Sequence, residues 1–272
     1  MLILGGEWWA VFGAGLMGVT LGLIGGGGSI LTVPILVYGF GVPGATATFH
    51  SLFVVGVAAA VGAMPYAGRQ KVDFKSALLF YPTSLIGVTL ARRWALPALP
   101  DTLDLAGLQL SKDLLILGLF ATVMLLASAS MLRKPAASAA AAAPVRSVSR
   151  AGMTGFGVGA LTGFVGAGGG FLIVPALVNR LGLPMERAVG TSLLIIALNS
   201  LSGFSVDLLR GTAVRWDLLA LVTGTALIGI LAGTTLSKRI PGAKLKPAFG
   251  WFVLIMGSLM MFRQIHDILS TR

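Results

Sequence analysis

Cysteine is absent from the chain, and with it any disulfide framework, iron–sulfur cluster or thiolate metal site. Charge is scarce as well. Only 11% of the 272 residues are Asp, Glu, Lys or Arg, against roughly 25% in a soluble domain, which excludes a conventional water-soluble globule. Histidine occurs twice, at His50 and His266, too far apart to suggest a metal centre, so neither metal nor cofactor is expected. Acidic groups number 9 against 20 Lys and Arg, and none interrupts the stretch from Trp8 to Gly68. The basic residues fall between apolar runs and not along one face, which points to anionic lipid headgroups and away from nucleic acid. The first residues carry Glu7 and no Lys or Arg precedes Arg69, so no secretory signal pattern is present and the apolar start is expected to stay and insert.

What is abundant is apolar surface and glycine: 56% hydrophobic residues and 38 Gly. The glycines follow no three-residue period and sit inside apolar runs, as in packed membrane helices. A spanning helix needs ~20 mostly apolar residues. Cutting at charges, and at the turn signal GFGVPG over 39–44, gives segments 8–40, 45–68, 76–91, 114–132, 151–179, 188–206, 218–237 and 247–262. The sequence therefore predicts an all-α polytopic membrane protein.

A repeat is visible by eye. The run Gly22 to Pro34 (GLIGGGGSILTVP) reads like Gly163 to Pro175 (GFVGAGGGFLIVP) at an offset of 141, and Pro43, Ala47 and Ser51 meet Pro184, Ala188 and Ser192 at the same offset. Two homologous four-segment halves follow, over 1–132 and 151–272. A flexible basic Ala/Ser/Pro linker, 133–150, joins them. If all eight segments cross, the two sides carry 11 and 9 Lys/Arg. If 8–40 and 151–179 dip in and return, the halves are inverted and the split becomes 13 against 7, the arrangement that the positive-inside rule prefers.

The Gly-rich breaks, Gly25, Gly26, Gly27 and Gly28, and Gly166, Gly168, Gly169 and Gly170, are the candidate binding elements. Glycine at helix depth costs about 1 kcal/mol relative to Ala, and irregular backbone is tolerated in a bilayer only where protein or a water-filled cavity covers it. Freed amides can face an anion, with the resumed helix expected to start near Pro34 and Pro175 and to present its positive end. Before the breaks run small-residue ladders, Gly18 and Gly22, then Gly155, Gly159 and Gly163, read as helix-contact faces. Ser29, His50 and Ser51 in the first half, and Thr191, Ser192 and Asn199 in the second, are the polar candidates. Hydroxyls and an amide can replace part of an anion's hydration shell, and His50 is a candidate proton-coupling group. The run GGGGSIL lacks the Lys of a phosphate-binding loop. A Ser29–His50 dyad has no chemically competent counterpart at Gly170 and Thr191, so an enzyme is not expected.

The paired glycine motif followed by an apolar strip and Pro, then an Ala-x-x-Thr-Ser-like element, resembles the sulfite exporter TauE/SafE family, also described as a toluene-sulfonate uptake permease family. The resemblance spans about 10–262. It implies a multi-pass transporter of the bacterial inner membrane exporting sulfite, sulfonates or related organosulfur or organic anions by alternating access of its two halves. Carried over residue by residue, the glycine motif falls on Gly25–Gly28 with Pro34 and on Gly166, Gly168–Gly170 with Pro175, and the Thr-Ser element on Thr191-Ser192. The first half has His50-Ser51 instead. A non-transporting membrane scaffold and an anion channel are the alternatives, and the glycine ladders leave room for a homo-oligomer.

Overall fold

A computed structural model describes residues 8–105, 108–132, 148–166, 168–179, 181–237 and 242–270. Most of the linker, together with Arg180, Lys238 and Arg239, lies outside these residues. The elements run α1 (Trp8–Ile24), α2 (Gly27–Gly39), α3 (Gly44–Gly68), α4 (Phe74–Ala98), β1 (Thr102–Leu105), β2 (Leu108–Ser111) and α5 (Lys112–Leu132). After the linker come α6 (Val148–Val165), α7 (Gly170–Asn179), α8 (Met185–Leu208), α9 (Trp216–Leu236) and α10 (Gly242–Ser270).

The helical expectation holds, with two additions. A short antiparallel hairpin pairs Thr102 with Ser111 and Leu105 with Leu108. The linker ends sooner than expected, since 148–150 already belong to α6. Among the described residues, five helices, α3, α4, α5, α8 and α9, are long and apolar enough to cross a membrane. Large apolar side chains such as Phe12, Met64, Leu78, Leu126, Ile228 and Phe262 stand exposed on the outside. A soluble monomer rarely shows so much apolar surface, whereas lipid covers it at no cost.

Helix α4 runs past the point where charge alone would end it. Arg92 follows the apolar stretch, yet the helix continues through a π turn over Ala91–Ala95 to Ala98. It can do so because the Arg92 side chain is buried against Asp207 at the end of α8, with Nη1 donating to Oδ2 at 2.6 Å.

Segment 8–40 is a helical hairpin. A Cβ on Gly28 would strike the backbone at Met17 and Leu21, one on Gly13 would meet Ile35 at 3.5 Å, and one on Gly39 would reach Ala10. Contacts whose residue numbers rise on one strand as they fall on the other define antiparallel packing, so α2 returns alongside α1 to the end where α1 began. At the second break Gly169 packs on Thr162 of α6.

The half-helices do not begin at their prolines. Helix α2 resumes at Gly27 with a 3₁₀ turn, and Pro34 lies inside it, followed by a π turn over Ile35–Gly39. Helix α7 resumes at Gly170, with Pro175 in its interior. Pro lacks the N–H for an i→i−4 bond and crowds the preceding turn. In α2 that strain falls where the geometry is already non-α on both sides.

The core is a four-helix contact around α3 and α8. Helix α3 packs on α8 and α9, α8 on α3 and α4, α1 on α9, α6 on α4, and α5 on α10. The ladders explain the α1–α9 and α6–α4 pairs. Cβ atoms at Gly18 and Gly159 would collide with the carbonyls of Ala226 and Ser84, so backbones touch directly. Gly229 and Gly233 return the contact toward α1, and Gly87 returns it toward α6.

Candidate functional site

The two breaks meet. A Cβ on Gly26 would lie 2.5 Å from the Gly170 carbonyl oxygen, and one on Gly170 2.5 Å from the Gly26 Cα. The starts of α2 and α7 are therefore neighbours. Gly168 sits against Val55, Ile196 and Ser200, placing this contact near the middle of α3 and α8. Gly25 (φ +74°) and Gly166 (φ +73°) both turn through the left-handed region that glycine alone enters cheaply. They pack on Val189 and Thr48 respectively, positions related by the same offset of 141.

Serines hold each break from the opposite half. Ser51 donates to the Gly166 carbonyl, sharing its proton with Thr48 O, and Ser192 donates to the Gly25 carbonyl, sharing with Val189 O. Ser29 donates back to Gly26 O at 2.7 Å. All three are fully buried. Their protons are spent on backbone carbonyls at the breaks, so in this conformation they shape the break and do not offer hydrogen bonds to a solute.

The other sequence candidates lie elsewhere. The backbone N–H of Arg215 donates to His50 Nε2 at 3.1 Å, and Nδ1 lies 2.9 Å from Thr46 O. A carbonyl only accepts and a backbone N–H only donates, which makes the ring the neutral Nδ1–H tautomer. Thr191 Oγ1 accepts from the backbone N–H of Asp73 at 2.8 Å. At the sequence offset His50 and Thr191 are counterparts, and both tether the loop that precedes the next helix of the other half. Asn199 turns away from the breaks, its Nδ2 donating to Ser84 Oγ of α4 at 2.6 Å.

Two features stand outside the site candidates drawn from the sequence. Ser200, beside Gly168, is fully buried and its hydroxyl has no hydrogen-bond partner, as is true of Asn199 Oδ1. A hydroxyl next to the break was legible only as one of several serines. The second is the Arg92–Asp207 pair. Each residue stands just beyond an apolar run, at ends that the inverted arrangement places together, and that was the available signal. Arg210 Nη1 closes the same end by donating to the carbonyls of Arg92 and Arg93 at 3.0 and 3.2 Å. At the opposite end Lys71 pairs with Glu186. Among the described residues no cluster of three or more His, Asp or Glu could hold a metal ion.

The ion pairs bear on how the loops are arranged. Were all eight segments to cross, Lys71 and Glu186 would lie on opposite sides, as would Arg92 and Asp207. Both pairs form. The loop before α3 joins the Arg92 end, since Asp113 at the start of α5 accepts from Ala45 N at 2.8 Å.

Compared with known proteins, residues 10–260 match the family model described as sulfite exporter TauE/SafE. A "probable membrane transporter protein" of Xylella fastidiosa (strain Temecula1) is 31% identical over 259 residues, covering 92% of each chain. Two Bacillus subtilis proteins, the probable membrane transporter proteins YunE and YdhB, are each 26% identical and cover 97% of their own length and 93% and 91% of this chain. No solved structure matches.

Proposed function

This chain belongs to the sulfite exporter TauE/SafE family and is a membrane transporter, not an enzyme, and we propose that it is a secondary exporter of small anions such as sulfite, sulfonates or related organosulfur or organic anions. The observation that carries the choice of an anion is the contact between Gly26 and Gly170. It sets two helix N-termini side by side, and neither glycine-bearing segment, 8–40 or 151–179, carries an Asp or Glu. Each such terminus carries roughly half a positive charge and unpaired N–H groups. Two together in a low-dielectric interior favour an anion between them and repel a cation.

The substrate site in this proposal is the pair of breaks, Gly25–Gly28 and Gly166 with Gly168–Gly170. Ser51 and Ser192 position them and Ser200 contributes a hydroxyl. The halves are homologous, each a hairpin followed by three crossings, and they insert inverted. The positive-inside rule then puts the Lys71–Glu186 end, with the linker, in the cytoplasm and the Arg92–Asp207 end outside. Supporting this are the ion pairs that share an end and the reciprocal bonds Ser51–Gly166 and Ser192–Gly25. Alternating access amounts to one half rocking on the other about the α3–α8 contact, with Gly26 and Gly170 parting to admit the anion. Localisation in the bacterial inner membrane follows from the same family reading. Proton coupling through His50 would require Nε2 to release the Arg215 N–H.

The test is flux of a panel of small anions, sulfite and sulfonates first, in liposomes holding the purified protein, with and without a pH gradient. Saturable flux lost in Gly26→Ala, whose methyl would wedge against Gly170, supports the site. No flux for any anion from folded protein returns the weight to a non-transporting scaffold, and non-saturating flux to a channel.

A further inference from the structure

At the Arg92–Asp207 end a cavity of about 340 Å³ opens between α3, α4, α5 and the loop after α8. Three cationic side chains, Arg92, Lys112 and Arg210, line it against one carboxylate, Asp207, with Thr46 and Phe49 on the α3 wall. Neither break lines this cavity, and nothing in the transport proposal uses it.

Arg92 is the informative group. Its side chain is completely buried, yet it commits only Nη1 to Asp207, while Nε and Nη2 have no hydrogen-bond partner. Those two N–H groups form one edge of the guanidinium fork, the edge that binds two oxygens of a carboxylate, sulfonate or phosphate side by side. Buried donors left unmade are costly, and Arg92 is one of the residues that line the cavity together with Lys112 and Arg210. Asp207 keeps the arginine in place but neutralises only part of the local charge. Lys112 Nζ is anchored on Leu99 O at 3.2 Å, and Arg210 is held by the α4 carbonyls, so both cations are fixed near the cavity.

We infer that this cavity is a second anion site, which takes a small oxyanion among Arg92, Lys112 and Arg210, the buried Nε–Nη2 edge of Arg92 turning onto it as it enters. As the station outside the breaks it rests on the anion-transport proposal; its binding chemistry does not. A free solute anion and the phosphate of a lipid headgroup share that chemistry.

The test is equilibrium binding of sulfite and of methanesulfonate to the purified full chain in detergent by titration calorimetry, beside the flux assay. Saturable binding is expected in the wild type, weakened about five-fold or more in Arg210→Gln, an exposed position, with its melting temperature measured beside wild type. Asp207→Asn, which removes the competing carboxylate, is expected to tighten it a few-fold. A parallel arm adds phosphatidylglycerol to delipidated protein. If the lipid alone raises the melting temperature, and does so in wild type but not in Arg210→Gln, the oxyanion is a headgroup. Binding that ignores Arg210→Gln, Lys112→Gln and Asp207→Asn in both arms overturns the inference, even with flux intact. Absent flux with binding that follows these variants leaves the cavity standing and removes the transport proposal.

Discussion

At one end of the α3–α8 pair, His50 receives the backbone N–H of Arg215 and a buried Arg92–Asp207 pair lies beside it. At the other, Thr191 receives the backbone N–H of Asp73 and an exposed Lys71–Glu186 pair lies beside it. The backbone task is the same at both ends: a helical side chain accepts from the loop that leads into α9 or α4. The charge is handled differently. Counting by the offset of 141, the place of Asp207 is taken at the other end by Tyr66, whose hydroxyl reaches Gly22 O at 3.4 Å and Ser237 Oγ at 3.3 Å. One end therefore keeps a charge pair inside the protein and the other satisfies the equivalent position with a neutral hydroxyl. Shared backbone contacts do not make the two ends electrostatically equivalent: among the described residues, the one fully buried cation lies at the Arg92 end.

The largest effect that can break this comparison is expected at Arg92. Arg92→Leu leaves the Asp207 carboxylate partly buried and unpaired, which costs about 3–5 kcal/mol and shows as a large fall in melting temperature or loss of monodisperse protein. Arg92→Leu combined with Asp207→Leu is expected to recover most of the loss, because the penalty belongs to the unpaired charge. A single variant as stable as wild type would show that the two ends are handled alike after all.

Smaller and equal effects are expected from Ser51→Ala and Ser192→Ala. Each removes one buried hydroxyl from a break carbonyl, costing about 1 kcal/mol, and each is expected to slow anion flux by loosening the contact of Gly26 with Gly170. Unequal losses would sharpen the comparison by showing which half carries the tighter break.

Much of this was legible in the chain itself. The glycine runs announced the breaks because no lipid-facing helix tolerates them, and the ladders Gly18/Gly22 and Gly155/Gly159/Gly163 announced backbone contact because they recur every fourth residue. The charge count already favoured hairpins over crossings. What the sequence concealed depended on partners far along the chain. Ser51 and Ser192 looked like solvating hydroxyls, since nothing local says that the carbonyls of Gly166 and Gly25 take their protons. His50 looked like a proton site because a lone intramembrane histidine usually signals function. Its two ring bonds go to Thr46 and Arg215, the latter 165 residues away. The prolines misled for a local reason: Pro34 and Pro175 fit a first helical turn, but glycine lets the helix restart seven and five residues earlier, at Gly27 and Gly170. Residues 102–111 carry the period-2 alternation of a hairpin, which a search for apolar runs passes over.

His50→Gln tests whether the histidine is more than a tether. With both nitrogens engaged by backbone groups, the pH profile of flux is expected to match wild type, measured over a range spanning the ordinary histidine pKa of about 6.5. A profile that flattens in the variant would make the His50 end a proton gate and set it further apart from Thr191. Thr191→Val is expected to cost about 1 kcal/mol through the lost bond to Asp73 N, with no change in pH profile.

The smallest effect is expected from Lys71→Met, and its smallness is what the comparison rests on. The Lys71 and Glu186 side chains are 35% and 64% exposed, whereas that of Arg92 is 0% exposed. An exposed pair gains little over hydration by water and is screened by salt, so its loss is expected to cost roughly 0–1 kcal/mol. The loop does not depend on the ammonium group either. The Lys71 N–H donates to Tyr66 O at 2.9 Å, and the Lys71 carbonyl packs against Gly190, where a Cβ would lie 2.5 Å from it. Methionine keeps both backbone contacts and most of the apolar stem. Melting temperature should therefore fall by little, and by less still at high salt, while flux stays near wild type. A loss approaching that of Arg92→Leu would mean that exposure is not what separates the two ends, and that the loop between α3 and α4 owes its position to the ion pair and not to its backbone.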